Sequence, residues 1–187
     1  MEEYKTVTDS QTTLTELMIP SYSNFGGKVH GGIILGLMDK VAYACAAKHA
    51  GNYCVTVSID TVNFMAPVEV GELVSLLASV NYVGRSSMVI GIRVQTENVR
   101  TKEVKHTNSS YFTMVAMGDD HSPAQVPGLI LRTQAEVRRF FEAYHRKALT
   151  KYYNEEQKRI HSSSEVEEAM KLISKERCKI ELTESES

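Results

Sequence analysis

A surplus of charge of either sign, paired cysteines and long apolar runs are all missing from this chain of 187 residues. Its 21 lysines and arginines nearly balance 23 aspartates and glutamates. That balance argues against a general phosphate-binding surface, and so against nucleic acid as a partner, while leaving room for a local basic pocket. Cys45, Cys54 and Cys178 are odd in number, far apart and without CxxC or Cys/His ligand spacing. Neither a disulfide framework nor a metal site is expected, and small core or surface residues are the simpler reading. No apolar run reaches the ~18 residues of a membrane span. The polar opening MEEYKTVTDSQTTLTE lacks the apolar core of a secretory signal. The expectation is a soluble, cytoplasmic protein with no membrane insertion, built as one domain with an appended segment.

What is present begins with Lys28 to Gly51, KVHGGIILGLMDKVAYACAAKHAG, a nearly all-apolar helix opened by two glycines. After it, Val55, Val57 and Ile59 alternate with Thr56, Ser58 and Asp60, which is strand periodicity. The apolar positions then move to Val62 and Phe64, a phase change that predicts a bulge near Asp60 or Thr61. Further alternation runs through Val74, Leu76, Ala78, Val80 and Tyr82, then Met88 to Val94, then HTNSSYFTMVAM, with GRSS and ENVRTKE as turns. With a first strand near Leu14 to Ile19, five strands and one early helix are predicted, the last four strands as an antiparallel meander. Only the apolar helix can cover one face of such a sheet, so the fold class is α+β, a curved antiparallel sheet wrapped around a long central helix.

Past residue 118 the composition changes. GDDHSPAQVPG carries Pro123 and Pro127 and reads as a linker over 119–132. From 133 to 187 a helical extension is expected: Val137, Phe140, Phe141, Tyr144 and Ala148 follow helical spacing. A second helix has a capping pair at Ser164 and Glu167, and the charged LTESES end is expected to be disordered.

Within the early helix, steps of three and four residues place Gly32, Gly36, Asp39, Tyr43 and Ala46 on one stripe. A carboxylate buried there without partners would cost several kcal/mol. Either Asp39 marks a solvent-facing window or it lines a cleft, where partial desolvation would make it a better base or nucleophile. Upstream, SNFGGKVHGG holds four glycines within seven residues and feeds the helix start. The N–H groups at Gly31 and Gly32 sit at the positive end of the helix dipole and suit a carbonyl oxygen or oxyanion. His30 beside this turn suits fixing the loop or capping the helix, and His49 lies at the helix end with no catalytic role assigned.

These segments together, VHGGIILGLMDKVAYACAAKHAG, then VTVSIDTVNFMAPVEVGELV and YVGRSSM, resemble the acyl-CoA thioesterases of the hotdog fold, in the brain acyl-CoA hydrolase and YciA-like branch. The resemblance covers roughly residues 12 to 118, taken as a 1–118 thioesterase domain, and PAQVPGLILRTQAEVRRFFEAY resembles that branch's helical extension. It implies a sheet wrapped around the helix, paired in homodimers with an active site at each interface and often assembled further as trimers of dimers. It implies hydrolysis of fatty acyl-CoA, with Asp39 activating water or attacking the thioester and Asn24 contributing from the opposite subunit. No cofactor is implied, since coenzyme A is part of substrate and product. Its phosphates call for local cations and small donors, for which Arg85, Ser86 and Ser87 of the GRSS turn are the first candidates. A hydratase or dehydratase on acyl-CoA and a non-catalytic acyl-CoA-binding regulator are the competing functions.

Overall fold

The computed structural model describes residues 3–163 and 166–181. Its elements run β1 (Tyr4–Thr6), α1 (Val7–Ser10), β2 (Thr12–Leu17), a 3-10 turn (Pro20–Tyr22), α2 (Gly31–Ala50), β3 (Tyr53–Ile59), β4 (Leu73–Val83), β5 (Ser87–Glu97), β6 (Val104–Met117), β7 (Gly128–Ile130), α3 (Gln134–Ser163) and α4 (Val166–Ile173). Contacts divide the chain after Tyr144 into two compact units.

The first unit is built on period-two alternation. In β4 and β5, Val74, Leu76, Val80, Ile90 and Val94 are fully buried, and α2 supplies Met38, Val41, Ala42 and Cys45 to the same core. Phe112 and Met114 of β6 complete it. A 20-residue helix lies on a five-stranded sheet whose order is β2-β4-β5-β6-β3, antiparallel throughout. The strand order corrects the expected four-strand meander. Only β4, β5 and β6 are joined as hairpins, whereas β3 crosses to the far edge and pairs with β6. The reason is the connection: residues 60–72 are too long for a tight turn, and a chain of that length can carry its next strand across the sheet.

Three smaller expectations also shift. The first sheet strand begins two residues earlier than Leu14, and the short N-terminal strand β1 precedes it. The anticipated bulge near Asp60 lies instead between Thr56 and Ser58, because β3 has ended by Ile59 and Val62 and Phe64 belong to irregular chain. The proline-bearing segment does hold a short strand: β7 pairs in parallel with β1 just beyond Pro127. Cys45 and Cys54 are buried core residues, and burial pushes their thiols up to about 12 and about 11.

The second unit comprises the rest of α3 and α4. Leu149, Tyr152 and Ile160 are exposed along α3, with Lys151 and Glu155 paired at i, i+4. Ser164, and with it the anticipated capping pair, lies outside the described residues, as do residues 182–187. Among the described residues, no helix is long and apolar enough to cross a membrane.

Candidate active site

The site begins at the loop that feeds α2. Asn24 folds this loop back on itself: its Oδ1 accepts hydrogen bonds from Gly26 N–H at 2.8 Å and Lys28 N–H at 3.2 Å. Its own N–H donates to Lys28 O at 2.7 Å, and Gly27 turns the chain at a φ of +75°. Both acceptor positions of the Asn24 amide are thus spent on the loop. Among the described residues, its Nδ2 donor makes no hydrogen bond. Asn24 makes no hydrogen bond with Asp39 of its own chain, and Phe25 at the loop tip is fully exposed.

His30 is the N-cap of α2, its Nδ1 accepting from Gly32 N–H at 2.9 Å. This engages one of the two glycine donors expected at the helix start. Among the described residues no acceptor takes the Gly31 N–H, which therefore stands as the open donor of the first turn. The Phe64 ring lies against Gly31, where a Cβ would approach it to 3.4 Å.

Two turns along α2, the exposed stripe Gly32, Gly36, Asp39 and Tyr43 faces away from the core, while Leu37, Met38, Val41 and Cys45 face into it. Ala46, read as part of that stripe, is buried. Asp39 opens into a cleft of about 440 Å³ between α2 and β3, lined by Lys40, Tyr43, Tyr53 and Thr56 among others. Thr56 Oγ1 donates to Asp39 Oδ1 at 2.6 Å. The acid is therefore both solvent-accessible in this protomer and part of a cleft, with one oxygen fixed by a hydroxyl and the other open. Thr56 is the site residue that the sequence pattern left unassigned. Its signal was the polar face of a strand that directly follows the helix carrying the acid.

The Gly84–Ser86 turn is held elsewhere. Gly84 N–H donates to Ser87 O, Ala116 N–H to Ser86 O and Val126 N–H to Arg85 O, so the turn is braced on β6 and on the segment before β7. Arg85 lines a cavity with Gly84, Gln125 and Val126, separate from the cleft that holds Asp39. His49, at the other end of α2, is buried with Nε2 against Pro127 O at 2.9 Å and plays no part in the cleft. Among the described residues, no three His, Cys, Asp or Glu side chains are placed to hold a metal ion.

A long helix in a curled antiparallel sheet, with an acid near its glycine-rich start, defines a thioesterase of the hotdog type. The thioesterase superfamily matches this chain over residues 26–103. Protein VdlD of Helicobacter pylori is 43% identical over 136 residues, which make up 73% of this chain and 78% of that protein. A solved apo-hexameric acyl-CoA thioesterase superposes with a TM-score of 0.79 at 35% identity, covering 81% of this chain and 97% of that one. The acyl-CoA hydrolase of Staphylococcus aureus, solved with butyryl coenzyme A, coenzyme A and coenzyme A disulfide, gives 0.78 at 28% identity over 85% and 97%. Solved variants of that hydrolase replace an asparagine, an aspartate or a threonine by alanine. The chain belongs to the hotdog-fold acyl-CoA thioester hydrolase family.

Proposed function

We propose that this chain hydrolyses fatty acyl-CoA to free fatty acid and coenzyme A, with Asp39 as its catalytic carboxylate. The observation that carries the reading is the Asp39 to Thr56 hydrogen bond at 2.6 Å inside an open cleft beside the helix start. Support comes from the Staphylococcus aureus hydrolase. Its asparagine, aspartate and threonine variants fall at separations along the chain equal to those between Asn24, Asp39 and Thr56.

A thioester carbonyl is electrophilic enough for a positioned carboxylate to act without a Ser-His-Asp triad. Asp39 either takes a proton from water, whose hydroxide adds to the carbonyl carbon, or adds directly to give a mixed anhydride that water then cleaves. On either route the carbonyl oxygen gains negative charge. The Gly31 N–H is the donor ready to meet it, and Gly32 N–H joins only if the His30 imidazole releases it. The C–S bond then breaks and the coenzyme A thiolate leaves, taking up a proton. No metal or cofactor takes part in these steps, and coenzyme A enters with the substrate.

Asn24 completes the site from the partner subunit, where its uncommitted Nδ2 donates toward the thioester. The dimer forms along β3, a sheet edge that exposes Tyr53, Val57 and Ile59 beside the cleft. A bare apolar edge next to an acid calls for a second copy to cover it. Arg85, Ser86 and Ser87 receive coenzyme A phosphates from a neighbouring subunit, consistent with their separation from Asp39 within one protomer. Hexamer formation in the solved relative favours a trimer of dimers. Residues 1–118 carry the chemistry in this reading, 119–132 link it and 133–187 extend it.

The test is thiol release from acyl-CoA by full-length protein. Asp39→Ala should lower turnover at least ~100-fold while the fold survives. Near-normal hydrolysis by the folded variant rejects the assignment. Label found in the Asp39 carboxylate after single turnover in heavy-oxygen water marks the anhydride route, with water adding at the Asp39 carbonyl carbon.

A further inference from the structure

The turn that carries Asn24 also carries an aromatic ring that its own protomer leaves bare. Ser23 and Val29 form an antiparallel bridge at the base of this turn. Val29 N–H donates to Val68 O at 2.9 Å there, and His30 N–H to Tyr22 O at 2.8 Å. Above that base Asn24 Oδ1 holds Gly26 and Lys28, and Gly27 N–H donates back to Asn24 O at 3.0 Å. Residues 24–28 are therefore a fixed projection rather than a loose loop. Phe25 stands at its tip and is the most exposed large apolar side chain among the described residues. Gly26 and Gly27 beside it have no side chain to cover the ring, and a Cβ on Gly26 would stand 3.3 Å from Asn24 Oδ1. A ring fixed in water forgoes the stabilisation that burial brings, so a surface that meets it is called for.

The proposed dimer supplies that surface. Asn24 donates into the partner's site, and consecutive Cα atoms are only about 3.8 Å apart, so Phe25 arrives with it. The Asp39 cleft that receives them has a bare apolar side of its own. Tyr43 and Tyr53 line it, 41% and 60% exposed, their rings paired with centroids 6.0 Å apart. Cys54 and Val55 continue that wall, and Asp39 and Lys40 are the charged members of the cleft. Its volume of about 440 Å³ exceeds the needs of one carboxylate and one carbonyl carbon. Two bare aromatic surfaces, one from each subunit, thus flank the place where the acyl carbons begin.

We infer that Phe25 is a specificity-determining residue acting across the subunit interface: the acyl chain lies between Phe25 of one subunit and the Tyr43–Tyr53 pair of the other. The inference rests on the proposed hydrolysis at Asp39 and on Asn24 reaching that acid from the partner. An acyl chain carries no hydrogen-bonding group beyond its carbonyl, so apolar area is what separates long chains from short ones. Methylenes laid against the ring add to binding in the transition state, while a short acyl group ends before it gains from them. A preference for long chains follows.

Thiol release from butyryl-CoA and from palmitoyl-CoA by the full-length, assembled protein tests this. Phe25→Ala should lower the ratio of kcat/KM for palmitoyl over butyryl at least ~10-fold, and Phe25→Leu, which keeps apolar area, should recover most of it. The crossing of the interface has its own readout. When Phe25→Ala is exchanged with a large excess of Asp39→Ala, almost every Phe25→Ala subunit sits in a mixed dimer, where its intact acid receives Phe25 from the partner. The surviving activity should then show the wild-type chain preference. The Phe25→Ala preference in that mixture would put the ring in its own subunit's site and overturn the inference. A wild-type ratio in the Phe25→Ala homodimer overturns it too. So does an equal loss on both substrates or a fall in oligomeric mass, either of which makes Phe25 an interface anchor only. Absence of thiol release by wild type from both substrates rejects the hydrolysis reading itself, and this inference falls with it.

Discussion

At the scale of single residues, Asp39 is useful because it is half-tethered. Thr56 Oγ1 holds one oxygen, which sets the direction in which the other points into the cleft. Thr56→Val keeps the volume and removes only the donor. Loss of one such hydrogen bond is expected to cost about tenfold in kcat, since the carboxylate loses its orientation rather than its charge. Steady-state thiol-release kinetics check this, and an unchanged kcat would reduce Thr56 to a packing residue. The lone acid was legible in the sequence because it interrupts an apolar helix. Its threonine was not, because the contact depends on β3 lying beside α2, a pairing 17 positions apart that no local spacing encodes. The glycine donors were legible as a pair and proved unequal. His30, adjacent in sequence, takes the Gly32 N–H, so capping and oxyanion binding compete for the same group.

At the scale of elements, α2 is anchored at its far end by a side chain outside the chemistry. His49 is buried, its Nε2 meets Pro127 O just before β7, and among the described residues its Nδ1 has no partner. Lys5 from β1 donates to the His49 carbonyl at 2.9 Å, so helix, β1 and the β7 approach meet here. Burial holds the imidazole below its ordinary value of 6.5, against the Pro127 carbonyl, which acts to raise it. A depressed histidine means that the unfolded chain binds more protons than the folded one below that value. Stability is then complete above about pH 6.5 and declines as the pH falls through it. Denaturant unfolding of wild type between pH 7.5 and 5.5 should show this fall, and His49→Gln should flatten it; an equal slope in both proteins would refute the coupling. Sequence periodicity captured the elements themselves, since alternation in β4, β5 and β6 is set by one buried face. It missed their order, because β3 reaches the far edge through thirteen irregular residues whose path is decided by tertiary packing, not by local pattern.

At the scale of the whole molecule, one protomer holds both an acid with an open face and an amide with a spare donor, and does not bring them together. The exposed β3 edge beside Asp39 supplies the reason that a second copy should. Asn24→Ala would be a poor probe, because it also removes the two hydrogen bonds that shape the loop. Asn24→Asp keeps an acceptor for Gly26 and Lys28 and replaces the Nδ2 donor with a negatively charged acceptor. Neither Asn24→Asp nor Asp39→Ala homodimers then hold a complete site. Random exchange between equal amounts of the two makes half of the dimers mixed, each with one intact and one doubly defective site. Recovery of about a quarter of wild-type activity follows from isologous pairing, in which each site takes one residue from each subunit. Native mass measurement establishes that exchange has occurred. Mixed dimers present in the expected proportion without any recovery would mean that each subunit assembles its site alone.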